Sequence, residues 1–146
     1  MYDFGYLEFS RALITLAWVL YLFVVAFSLG GQLLQDRRWV VGARHGMLMG
    51  TATLTAASLG LVAGFIKGDY HVKYIFDYSE RGLPRNFKIA GLWAGLNGSI
   101  LFWSLLISVV AGIVAFQFRR DEQHPVGRRL EPNVYIVFAL VQLFFL

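Results

Sequence analysis

Four apolar runs separated by short charged segments constrain this chain more than any other feature. The runs cover residues 12–34, 42–66 and 93–118, with a last one over 134–146. Roughly 20 apolar residues suffice to cross about 30 Å of hydrocarbon, and the first three runs meet that length. The fourth is 13 residues long, counting 134 to 146, which is too short to span. The expected fold is therefore all-α: a polytopic integral membrane helix bundle of three complete transmembrane helices plus a truncated fourth. Residues 1–146 form one unit, with an outer loop over 67–92, and the chain reads as cut mid-helix. Residues 1–10 carry Asp3 and Glu8 and lack the basic start of a cleavable signal, so the first helix is expected to be retained.

Composition agrees with a membrane chain. Hydrophobic residues make up 58% and mean hydropathy is +0.59, against about 45–50% apolar residues in a soluble domain. The net charge of +4 is not a nucleic-acid signature. Its arginines cluster in two short turns (Arg37, Arg38 and Arg44; Arg119, Arg120, Arg128 and Arg129) rather than along one continuous face. Basic turns of this kind mark the cytoplasmic side, which places the loop 67–92 outside. There is no cysteine, so disulfides, thiol exchange, Fe–S clusters and Cys-ligated zinc are excluded for this chain's own residues.

Within the spans the pattern is structural. Trp18 and Tyr21 are expected to pack against neighbouring helices. Gly46, Gly50, Gly60, Gly64 and Gly68 form a ridge of small residues on the second span, suited to close helix contact. Pro84, Pro125 and Pro132 are expected outside the spans, as helix interiors require. No charged side chain is expected inside a span, and Asn97 is the main polar amide, which argues against a self-sufficient ion-coupled transporter.

The outer loop is long enough to be functional. In it Tyr70, Val72, Tyr74, Phe76 and Tyr78 alternate with His71, Lys73, Ile75, Asp77 and Ser79, which predicts an extended segment with one aromatic face. Arg81, Arg85 and Lys88 gather at the mouth of the third span. They are placed to pair with Asp77 and Glu80, or with carboxylate or phosphate groups of a ligand or lipid. Residues 87–103, FKIAGLWAGLNGSILFW, then set Gly91, Gly95, Gly98 and Ser99 close to Trp93 and Trp103. Small residues beside indole rings read as a packed seam or the floor of a site, or as an ordinary helix start with an interfacial Trp.

That stretch carries a resemblance. Gly82, Leu83, Pro84, then Phe87, Lys88, Ile89, Ala90, then Leu92, Trp93, Ala94, Gly95, then Gly98, Ser99 and finally Leu101, Phe102, Trp103 follow a known family's pattern. The family is the CcmF family of cytochrome c-type biogenesis proteins, which handle haem in the membrane. The likeness runs over most of the chain and is specific over residues 74–103. Where the family often has His-Glu before Gly-Ser, this chain has Leu96-Asn97. The family's Trp-rich haem segment and its ligand histidines lie further along and are not located here.

The resemblance implies a haem lyase: haem is presented so that its vinyl groups join the thiols of a C-x-x-C-H motif on apocytochrome c. It implies haem as cofactor, with ligands outside this sequence. Partners would be other cytochrome c maturation membrane subunits, a haem chaperone and apocytochrome c, in the bacterial inner membrane with the loop 67–92 on the periplasmic side. Trp93, Gly95, Gly98, Ser99 and Trp103 are the matched motif; Arg85, Lys88 and His71 are weaker cofactor-binding candidates. His45 and His124 are expected in solvent, and no catalytic residue or metal ligand is assigned. The chain is not expected to act as an enzyme alone. The other reading is a non-catalytic structural subunit that assembles with further membrane helices; nucleic acid is not a partner in either.

Overall fold

The computed structural model describes residues 6–68, 73–80, 82–120 and 124–146. Four long helices make the bundle: α1 (Tyr6–Leu33), α2 (Arg37–Lys67), α5 (Leu96–Arg120) and α6 (Pro125–Phe145). Between α2 and α5 lie two short helices, α3 (Lys73–Tyr78) and α4 (Arg85–Ala90), and a 3₁₀ turn over Gly91–Trp93. There is no strand among the described residues. Three helices, at Glu8–Leu33, Arg37–Lys67 and Leu96–Arg120, are long and apolar enough to cross a membrane.

The link between α1 and α2 is tighter than the sequence implied. Residues 35–44 read as a basic turn, but the helix starts at Arg37. Gln35 reverses the chain with φ of 51°, and the Asp36 carboxylate accepts from the Arg38 N–H at 2.9 Å. Trp39 and Val40 can then lie against Gly30 and Gly31 of α1. Along the rest of this helix pair, Gly46, Gly50 and Gly60 face Phe23, Tyr21 and Ser10. A Cβ on Gly50 would stand 3.0 Å from the Tyr21 ring, so the small-residue ridge is what lets large α1 side chains approach. Gly68 is not part of that ridge. It ends α2 with φ of 72°, its N–H donating to Gly64 O, a conformation that glycine adopts without cost.

Tyr21 is fully buried, as expected of a packing residue, whereas Trp18 is exposed on the outside of α1. The core between the helices is apolar but stitched by hydroxyls. Tyr21 Oη lies 2.7 Å from Ser108 Oγ, and Thr51 donates to the Ser108 carbonyl at 2.9 Å. Ser104 and Gln142 exchange two bonds, hydroxyl to amide oxygen at 2.6 Å and amide nitrogen to carbonyl at 2.9 Å. Gln142 is thus the buried amide of the bundle. Asn97 is exposed on the first turn of α5.

Two further expectations are corrected in α6. Pro132 lies inside a helix, and charge is buried in the bundle. The helix begins with Pro125 in its first turn, where a missing N–H costs nothing, and then runs through Pro132. An interior proline costs about 3 kcal/mol of helix stability. The residue beside it is the buried charge: Glu131, only 1% exposed, takes Arg44 of α2 at 2.8 Å and a still closer contact from Arg37. Tyr135, one turn on, donates to the same carboxylate at 2.8 Å. A paired carboxylate is tolerated where a lone one is not.

Candidate functional site

Tyr74 organises the mouth of α5. α5 starts after Gly95 with no side chain of its own to accept its first N–H groups, and such orphan donors need partners. The Tyr74 hydroxyl supplies one from outside the helix. It accepts from Gly98 N–H at 3.1 Å and Gly95 N–H at 3.3 Å, and donates to the Leu92 carbonyl at 3.0 Å. Ser99 completes the corner by donating its hydroxyl to the Trp93 carbonyl at 2.9 Å.

The glycines are there because the corner leaves no room. A Cβ on Gly98 would fall 1.6 Å from the Leu92 carbonyl oxygen, and one on Gly95 2.6 Å from the Tyr78 ring. One on Gly91 would meet the Phe65 ring at 2.8 Å. Phe65, Ile75 and Leu92 form a small apolar cluster beneath, and the Tyr74 ring meets Phe65 edge-on with centroids 5.8 Å apart. Burial holds the Tyr74 phenol above its ordinary value of 10.0; the Gly95 and Gly98 N–H groups pull the other way, and neighbouring Tyr78 adds to the rise.

This corner corrects the expectation of an extended aromatic strand. Residues 73–78 are helical. Tyr74, Ile75 and Tyr78 fall on one helical face, and Tyr74 and Tyr78 pack with centroids 4.9 Å apart. The apolar partner of that face is the α5 corner itself. Tyr70, His71, Val72 and Arg81 lie outside the described residues.

The matched motif therefore divides. Gly95, Gly98 and Ser99 build the corner, while the two indoles point away from it. Trp93 is 44% exposed and packs on Phe102 at 5.3 Å, and Trp103 is 58% exposed. Gly95 and Gly98 form the packed seam; the tryptophans sit at its outer edge. Arg85 is exposed and Lys88 half-buried, and among the described residues neither makes a salt bridge with Asp77 or Glu80. Their expected pairing is not made.

No described imidazole is placed to hold a haem iron. His45 is exposed with Nδ1 2.9 Å from the Val41 carbonyl, and His124 is exposed at the start of α6. A haem ligand needs a neutral imidazole set in a shielded pocket. Tyr74 and Glu131 were missed in the sequence. The signal for Tyr74 was its spacing of four from Tyr78; nothing local marked Glu131.

Comparison with known proteins gives this architecture a lineage. The cytochrome c-type biogenesis protein CcmF of Escherichia coli K12 is 29% identical over 123 residues, covering 84% of this chain. CcmF of Pseudomonas aeruginosa is 30% identical over 100 residues, 68% of this chain, and NrfE of Haemophilus influenzae 36% identical over 70 residues, 47% of it. The chain belongs to the CcmF family of cytochrome c-type biogenesis proteins. Its fold agrees: a solved structure of the cytochrome c heme lyase CcmF superposes on 99% of this chain with a TM-score of 0.87 at 23% identity. No protein-family model matches. The chain spans 19%, 15% and 11% of the length of those three curated CcmF-family relatives and 23% of the solved chain.

Proposed function

We propose that this chain serves cytochrome c biogenesis as the scaffold of a membrane haem-handling protein, in the bacterial inner membrane with α3 and α4 on the periplasmic side. The likeness to CcmF over nearly the whole of this chain is the observation that carries the reading. In such a protein haem is held so that apocytochrome thiols add across its vinyl groups. The described residues hold no iron ligand, so no step of that chemistry is assigned to them. Their part is to fix the outer corner: Tyr74 caps α5, and the capped corner sets Trp93, Trp103, Arg85 and Lys88 outward. Those side chains face the maturation partners: further membrane subunits, a haem chaperone and apocytochrome c. Disrupting this chain in its host should lower covalently bound haem in c-type cytochromes, read by haem-dependent peroxidase staining. Unchanged staining would count against the reading.

A second reading, a structural subunit that binds nothing, is favoured by the open faces of the spans. Only 22%, 39% and 28% of the three membrane-crossing windows is buried within the chain. Haem titration of the purified chain tests what the two share: both predict no stoichiometric Soret band, and its appearance would contradict both.

A further inference from the structure

At the loop end of the bundle α1 and α5 part. They are joined at mid-bundle by Tyr21 and Ser108, 2.7 Å apart, and toward their N-termini a groove of about 620 Å³ opens between them. Cavities of roughly 300–1,000 Å³ are the size that holds a ligand of a few tens of atoms. The floor is apolar, with Ile14 of α1, Leu61 of α2 and Leu101 of α5. The rim is charged, and with both signs: Arg11, Lys73 and Asp77.

These rim charges do not satisfy one another. Lys73 and Asp77 are one turn apart on α3, yet among the described residues no salt bridge joins them. Arg11 reaches Glu8 at 3.6 Å, a pair in which both side chains are more than 60% exposed, and such pairs hold weakly. The rim also lies where α1 and α5 begin, at the level at which spans leave the hydrocarbon for the headgroups.

We propose that this groove binds a phospholipid whose headgroup carries both a phosphate and a primary ammonium. One acyl chain lies on the Ile14, Leu61 and Leu101 floor. The phosphate takes Arg11 and Lys73, because a guanidinium and an ammonium both donate to phosphate oxygens. The ammonium, with three N–H donors, takes the Asp77 carboxylate. A choline head has no N–H to offer, and a glycerol head brings no positive charge to Asp77. The assignment goes beyond the biogenesis reading and stands or falls separately from it.

The test is native mass spectrometry of the purified chain after equilibration in nanodiscs of equal parts phosphatidylethanolamine, phosphatidylcholine and phosphatidylglycerol. The wild type should retain one phosphatidylethanolamine in about threefold excess over each of the others, the size of one exposed ion pair. Asp77→Asn should bring the three lipids to parity. Arg11→Ala with Lys73→Ala, both at exposed positions and harmless to folding, should lower retention of all three. Leu101→Trp should fill the floor and remove the adduct while helicity by circular dichroism is kept. A wild type that retains no lipid, or retains the three equally, overturns the proposal. So does undiminished retention in the Arg11 and Lys73 double variant.

Discussion

Glu131 of α6 and Arg44 of α2 stand 87 positions apart in the chain and meet at 2.8 Å, both all but sealed from solvent. Arg37 and Tyr135 complete the set around the one carboxylate. The pair ties the proline-bearing start of α6 to the α1–α2 hairpin, so its loss should release that end of the bundle.

Removing one partner of such a pair leaves the other charge buried alone, which costs about 3–5 kcal/mol. Glu131→Ala should therefore lower the unfolding midpoint in detergent sharply. Glu131→Leu combined with Arg44→Leu should recover much of the loss, because an apolar pair of like size can replace a buried ion pair. A single variant as stable as the wild type would refute the clamp.

Gly98→Ala should be among the most damaging small changes in the chain. Its Cβ would meet a backbone carbonyl at 1.6 Å, which cannot rotate away, so the cost belongs at or above the upper end of the roughly 1–3 kcal/mol of overpacking. Gly127→Ala is the contrast. Its nearest neighbour would be Phe118 at 3.8 Å, ordinary contact, and alanine is favoured over glycine in a helix by about 1 kcal/mol. Thermal unfolding of the two variants side by side checks both statements.

Tyr74→Phe leaves the Leu92 carbonyl and the Gly95 and Gly98 N–H groups without their shared partner, and should loosen the corner by about 1–3 kcal/mol. Hydrogen exchange of the first turn of α5 reads this directly. Protection there should fall while that of the α1–α2 pair is unchanged.

The same hydroxyl predicts a pH dependence. Its folded pKa is raised, so folded protein keeps the proton longer than unfolded protein does. The contribution is fully present below the ordinary value of 10.0 and is lost as pH rises from there through the folded value. Stability measured from pH 9 upward should decline more steeply in the wild type than in Tyr74→Phe. Parallel profiles would contradict the assignment.

The bundle was legible because membrane spans announce themselves by length and hydropathy, and the glycines at 46, 50 and 60 by spacing. The ends were not. Asp36 capping and the Trp39 and Val40 contacts extend α2 into what reads as a basic turn. Residues 73–78 set Tyr74, Phe76 and Tyr78 at every second position as a strand does, but in so short a run Tyr74 and Tyr78 serve a helix face equally well, and tertiary contact with Phe65 and Gly95 decides. Glu131 and Pro132 looked like turn chemistry because Arg44, the partner of Glu131, lies on another helix. Of the motif, Gly95, Gly98 and Ser99 read from spacing as a packed seam or the floor of a site, and the geometry supplied what they pack against, the Leu92 carbonyl and the Tyr74 and Tyr78 side chains.

The most direct test of the central claim joins that geometry to cytochrome c biogenesis. In a host whose copy of this chain is disrupted, covalent haem in c-type cytochromes is measured after complementation with wild type, Gly127→Ala or Gly98→Trp. Wild type and Gly127→Ala should restore it, and Gly98→Trp, inserted in the membrane but without a closed α5 corner, should not. Full restoration by Gly98→Trp, or none by the wild type, would contradict the account.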